Sequence, residues 1–139
     1  KYSFWNICDR LKSLNEKAEV ILEKIHLADS RNLPAGLLAY ADQRALEIGI
    51  TIAGNTKVIL LDEPTAGMSM SETERAVELI RDVSSGKTLV VVEHDMSVVF
   101  DLADKISVLV YGQVAATDLP ENIRNNPEVQ EAYLGKEIA

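Results

Sequence analysis

The sequence predicts an α/β fold: a helical segment, βα units of a mostly parallel sheet, a β-hairpin and a short helical tail. Three observations predict it. Val58-Ile59-Leu60-Leu61 and Thr88-Leu89-Val90-Val91-Val92 are continuous apolar runs of strand length, the pattern of strands buried on both faces of a parallel sheet. Helical stretches alternate with these runs, as in layered α/β folds. Ile106 to Tyr111 and Gln113 to Thr117 flank Gly112, which predicts a hairpin.

Each element has a local cause. The first 26 residues read as helix, because Ala18, Ile21, Leu22 and Ile25 share one face while Glu16, Lys17, Glu23 and Lys24 lie opposite. The turn chemistry of residues 29–36 ends that helix. A second helix is expected from Ala39 to Ala53, closed by Gly54-Asn55 as a C-cap. After the first strand, Ser71-Glu72-Thr73-Glu74 predicts an N-cap Ser with a Glu three residues on. Its core face would be Ala76, Ile80 and Val83, and Ser84-Ser85-Gly86 would stop it. Met96 to Ala103 predicts a short helix, Asp118-Leu119-Pro120 starts another through Arg124, and Pro127 a last one through Leu134.

Composition narrows the class. With 139 residues, 47% hydrophobic and 26% charged, the chain is of single-domain length and ordinary globular make-up. Fourteen basic against 22 acidic residues give −8, and no basic cluster is present to grip phosphodiester backbone, so no nucleic-acid partner is expected. Cys8 is the sole cysteine, which excludes an internal disulfide and fits a reducing compartment. No apolar run has the length to span a bilayer. Lys1-Tyr2-Ser3-Phe4-Trp5-Asn6 lacks both a signal-peptide core and an initiator Met, so the chain is not expected to begin where its gene begins.

Both buried-strand runs end in acids, Asp62-Glu63-Pro64 and Glu93-His94-Asp95. Ligands of open parallel sheets bind beyond the carboxyl ends of the strands. A charged strand exit is the plain alternative, yet an apolar run followed by Asp-Glu is what an NTPase needs. Asp62 can hold Mg²⁺ through a water, and Glu63 can reach the water that attacks a γ-phosphate.

Residues 58–65, Val-Ile-Leu-Leu-Asp-Glu-Pro-Thr, resemble the Walker B segment of an ATP-binding cassette (ABC) ATPase, with its adjacent catalytic Glu. His94 matches the switch histidine, and Ala66-Gly67-Met68-Ser69 occupies the place of the D-loop. Leu38-Ala39-Tyr40-Ala41-Asp42-Gln43-Arg44 sits where that family carries its signature. The tail, residues 123–135, is similar to that of ATPases serving branched-chain amino acid importers and the related urea importers. The resemblance implies the C-terminal part of a P-loop NTPase fold. It divides the chain into a helical-subdomain segment (1–38), a signature helix and ATPase core (39–118) and a tail (119–139). It implies ATP and Mg²⁺, with Glu63 and His94 catalytic and Asp62 the metal residue. Ala39, Tyr40, Ala41, Asp42 and Gln43 would face ATP in trans, with Gly67, Met68 and Ser69 as the D-loop. The implied partners are a second ATPase subunit (a homo- or heterodimer), transmembrane permease subunits and, indirectly, a substrate-binding protein. The implied location is cytoplasmic, peripheral on the inner face of the cell membrane.

Two departures stand beside the matches. No G-x-x-x-x-G-K-[ST] loop occurs; Gly86-Lys87-Thr88 has Arg81 where the first Gly would stand and leads into a strand. The expectation is therefore a C-terminal portion of a cassette that does not hydrolyse ATP alone. The family's Ser and Gly are replaced by Ala39 and Ala41: the first loses a hydroxyl, and the second adds a methyl and disfavours positive φ. Ser69 also replaces an Asp common in D-loops. A degenerate, non-catalytic interaction module is thus the rival reading, and a urea-type importer subunit another. Of the remaining singular residues, His26 reads as a helix C-terminal residue, Cys8, Trp5 and Phe4 as packing, and Tyr40 as core packing or a stacking side chain.

Overall fold

The computed structural model describes residues 4–54 and 56–134, with side chains described for 11–54 and 56–132. The packing expected of Phe4, Trp5 and Cys8, and the role of Asn55 at a helix end, lie outside those residues. The chain divides into two compact units, Lys1–Glu93 and His94–Ala139.

The first unit contains α1 (Phe4–Lys24), α2 (Tyr40–Ala53), β1 (Val58–Asp62), α3 (Met70–Ser84) and β2 (Thr88–Val92). Helix α1 ends sooner than its periodicity predicts. His26 adopts φ 59°, and the Leu27 N–H bonds to Leu22 O at 2.8 Å while the His26 N–H bonds to Glu23 O at 3.1 Å. That pair of bonds is a left-handed C-terminal cap built without glycine, so His26 follows the helix and does not sit within it. Ile25 and Leu27 are buried beside it. Helices α1 and α2 pack on each other at Gly49, where an added Cβ would come within 2.7 Å of Ile25 Cδ1. At its far end α2 stops at Gly54 with φ −72°, so the left-handed freedom expected of that glycine is unused.

Strands β1 and β2 pair in parallel, Val58 opposite Thr88 through Asp62 opposite Val92, with α3 as the crossover. The predicted pairing holds and the predicted burial does not. Ile59 is buried, whereas Leu60 is 69% exposed and Val58, Val90 and Val92 are about as open as solvent-facing residues. Alternation along each strand puts these four on one face, and the described residues of the unit leave that face largely open. Helix α3 also starts two residues earlier than predicted. Ser69, not Ser71, is its N-cap, and Glu72 closes a capping box. From that start Ala76, Val77, Leu79 and Ile80 turn inward, while Val83 is only half-buried.

The second unit holds α4 (Met96–Leu102), β3 (Ile106–Val110), β4 (Gln113–Asp118), α5 (Pro120–Arg124) and α6 (Pro127–Leu134). The β3–β4 hairpin is antiparallel with a two-residue turn, Val110 opposite Gln113. Both turn residues, Tyr111 and Gly112, have positive φ, the type I′ geometry that matches strand twist. Ile106, Val108, Ile123 and Val129 form its core, so hairpin and tail helices fold on each other.

Candidate functional site

The site begins where β1 leaves its ladder. Asp62 is the last paired residue, opposite Val92, and is exposed. Glu63 still donates its N–H to Val92 O at 2.8 Å, then turns the chain with φ 43°. A left-handed glutamate is uncommon and costs roughly 1–3 kcal/mol, held only where its surroundings over-determine it. Those surroundings are visible. Pro64 is buried with a fixed φ, the Ala66 N–H returns to Glu63 O at 3.2 Å, and Thr65 is 6% exposed. Thr65 donates both its N–H (3.0 Å) and its hydroxyl (2.6 Å) to Glu93 Oε1. Glu93, which sequence reasoning treated only as a strand-exit acid, thus joins the end of β2 to the turn after β1.

Beside Asp62 lies a cleft of about 190 Å³ walled by Leu60, Leu61 and Pro64 on one side and by Arg44, Glu47 and Ile48 of α2 on the other. The start of α2 carries the signature-like residues. Ala39 is the N-cap, extended at φ −61°, and no side chain caps the helix. Ala41 lies inside α2, so its backbone is helical and the positive φ feared for this position is not required. The Gln43 N–H bonds to Ala39 O at 2.9 Å and its side-chain amide to Leu38 O at 3.0 Å, fixing the segment before the helix. Asp42 lies in the first turn, half-buried.

Tyr40 is neither core nor idle. It is 48% exposed, and its hydroxyl donates to Ala66 O at 3.1 Å while accepting from Arg44 Nε and Nη2 at 3.2 and 3.0 Å. Its ring lies 3.6 Å from where a Gly67 side chain would begin, and Gly67 has φ 77°. Glycine at this position lets the loop take a left-handed turn against the ring. Glu47 and Tyr40 hold the Arg44 guanidinium above its ordinary value. The signature-like and D-loop-like segments are therefore in contact through Tyr40, a link between residues 26 apart that no periodicity could reveal. Met68 is half-buried and its N–H bonds to Thr65 O at 3.2 Å, while Ser69 is consumed in the α3 capping box, its N–H and hydroxyl donating to Glu72 Oε2 at 2.8 and 2.6 Å.

His94 opens the second unit and is exposed. Asp95 beside it caps α4, accepting the Ser97 N–H at 2.8 Å and the Ser97 hydroxyl at 2.6 Å. The Ser97 hydroxyl is the main cause that holds the Asp95 carboxyl below the usual range, with backbone N–H groups and His94 adding to it against partial burial.

Known proteins are similar to this chain in sequence and in fold. A family model described as "Branched-chain amino acid ATP-binding cassette transporter" matches residues 113–139. The high-affinity branched-chain amino acid transport ATP-binding protein LivG of Escherichia coli K12 is 41% identical over 123 residues, 87% of this chain and 48% of the relative. BraF of Pseudomonas aeruginosa, with the same description, is 40% identical over 117 residues, 83% of this chain and 46% of its own length. A crystal structure of an ATP-binding cassette of an ABC transporter in its ADP conformation superposes with a TM-score of 0.78 at 30% identity, covering 88% of this chain and 50% of that one. The chain spans about half the length of the relatives it matches. In sequence and fold it belongs with the ABC ATPases, and it corresponds to the C-terminal portion of the branched-chain amino acid transport ATP-binding proteins.

Proposed function

We propose that this chain carries the water-handling part of an ATP-hydrolysing subunit that energises an importer for branched-chain or related amino acids. The observation that carries the proposal is the strained exit of β1, where Glu63 is turned out at φ 43° one residue beyond Asp62. Similarity to LivG and BraF supports the transport assignment. The tail model supports the branched-chain type over a urea-type importer.

In this reading ATP is the substrate and arrives with Mg²⁺. Among the described residues no three His, Cys, Asp or Glu side chains converge as a metal cluster. That suits an ion which keeps its waters and phosphate ligands and takes one or two protein carboxylates. Asp62 would hold it, and when bound it offsets charge on the phosphate oxygens. Glu63 accepts a hydrogen bond from the attacking water and polarises it for in-line displacement, and His94 contacts the γ-phosphate. The start of α2, Ala39 to Gln43, offers backbone donors and a positive helix end to the nucleotide of a second subunit. Gly67, Met68 and Ser69 face that subunit. Residues 1–38 then belong to the helical subdomain, 39–118 to the core and 119–139 to the tail. Permease subunits and a substrate-binding protein complete the assembly, with the ATPase peripheral on the cytoplasmic face. Among the described residues no helix is long and apolar enough to cross a membrane.

The test is Glu63→Gln in the full-length protein. Turnover should fall at least ~10²-fold, the lower range for loss of a general base, while Mg-ATP binding persists. Asp62→Asn should lose Mg²⁺-dependent binding as well. Parent-level phosphate release by Glu63→Gln would falsify the assignment. A full-length parent that binds a second subunit without any turnover would establish the non-catalytic reading instead.

A further inference from the structure

We propose that Thr65 and Glu93 are positioning residues that hold the Glu63 carboxylate at its working angle. The proposal rests on Glu63 being the catalytic carboxylate, and it assigns a role to two residues outside the catalytic set. A left-handed, non-glycine residue relaxes unless both flanks are fixed. On the N-terminal side the flank is the ladder, through the Glu63 N–H and Val92 O at 2.8 Å. On the C-terminal side Pro64 offers no N–H to bond, so the first residue able to anchor the turn by its backbone donor is Thr65. Its N–H and hydroxyl converge on one oxygen, Glu93 Oε1, at 3.0 and 2.6 Å. Bonds to a charged acceptor are stronger and shorter than neutral ones. Thr65 is itself buried, only 6% exposed, which limits competition from water.

The same latch fixes β2 where it ends. Glu93 immediately precedes His94, so the carboxylate that clamps the Glu63 turn also fixes the last residue before the histidine. A merely structural cap would set stability alone. A positioning role makes a different demand, because a small misplacement of a general base lowers the chemical rate while leaving substrate affinity in place.

Steady-state phosphate release by the full-length protein separates these. Thr65→Val keeps shape and removes the hydroxyl; kcat should fall ~10- to 100-fold with the KM for Mg-ATP within about twofold. Thr65→Ser, which restores the hydroxyl, should recover most of that loss. Glu93→Gln keeps an acceptor oxygen without its charge and should fall between the parent and Glu93→Ala. Hydrogen exchange of the Thr65 amide, measured in the same proteins, should accelerate at least ~10-fold in Glu93→Ala; if that variant does not fold, Glu93→Gln supplies the measurement with a smaller acceleration. Parent-level kcat in Thr65→Val, a change confined to KM, or unchanged Thr65 exchange would overturn the inference. Glu63→Gln serves as the reference. If it turns over normally the catalytic reading fails by itself, whereas its collapse beside a normal Thr65→Val sinks only the latch.

Discussion

Helices α2 and α3 both begin in the segments that resemble functional motifs, yet their starts are finished in opposite ways. Helix α3 is closed: Ser69 and Glu72 satisfy each other in a capping box. Helices α4 and α6 are closed too, by Asp95 on the Ser97 N–H and by Asn126 on the Glu128 N–H at 2.9 Å. Helix α2 starts at Ala39, and no side chain caps it. An N-cap alanine gives up roughly 0.5–2 kcal/mol relative to serine or aspartate. The difference teaches where the chain spends its donors: three helix starts are satisfied locally by a side chain, whereas the signature-like start of α2, like that of α5 at Leu119, has no side-chain cap. The D-loop-like serine is correspondingly committed to the fold, because both its donors are taken by Glu72.

Breaking the closed start has the largest expected effect. Ser69→Ala removes the hydroxyl from the box and should cost about 1 kcal/mol of stability, read as a lower urea midpoint at unchanged m-value. A neutral result would mean that Glu72 alone holds the α3 start and that the two starts differ less than their geometry says. Closing the open start is the converse and a smaller change. Ala39 already has the extended backbone of a capping residue, φ −61° and ψ 156°, so Ala39→Ser can cap without rearrangement and should add about 0.5–1 kcal/mol. No gain in the midpoint would show that these amides are already satisfied.

Much of this was legible in the sequence, and the failures share one cause. Val58–Leu61 and Thr88–Val92 announce strands because an apolar run between turn residues has few other readings. Their second face was misjudged, since Leu60 looks the same in sequence whether or not another layer lies over it. The α3 start was ambiguous because Ser69–Glu72 and Ser71–Glu74 are both capping-box patterns; the chain uses the earlier one, which turns Val77 and Leu79 inward. Asp62, Glu63 and His94 were visible as residue types at strand ends. The Thr65–Glu93 latch and the Tyr40–Ala66 bond were not, because they join residues 28 and 26 apart, and neither was the left-handed turn of Glu63. Local patterning carries no information about such pairs.

Acid sharpens the comparison most finely, because the closed starts of α3 and α4 depend on a carboxylate in its charged form. The Ser69 hydroxyl, then the Ser69 backbone N–H, hold the Glu72 carboxyl below its ordinary 4.5, and the Ser97 hydroxyl does the same for Asp95 against an ordinary 3.8. A depressed carboxyl contributes stability that is fully present above its unfolded value and is lost as pH falls through the lowered folded value. The closed starts of α3 and α4 should therefore loosen as pH falls below the ordinary values of 4.5 for Glu72 and 3.8 for Asp95, and hold at neutral pH. Glu72 is solvent-exposed, so the contribution is small and salt-sensitive. Carboxyl-carbon NMR titration reads it directly. The Glu72 midpoint should lie below 4.5 in the parent and rise in Ser69→Ala, which deletes its strongest donor, while the Asp95 midpoint stays put. If Glu72 titrates identically in both proteins, the Ser69 hydroxyl is not bonded to it in solution. The start of α3 would then be no more closed than that of α2.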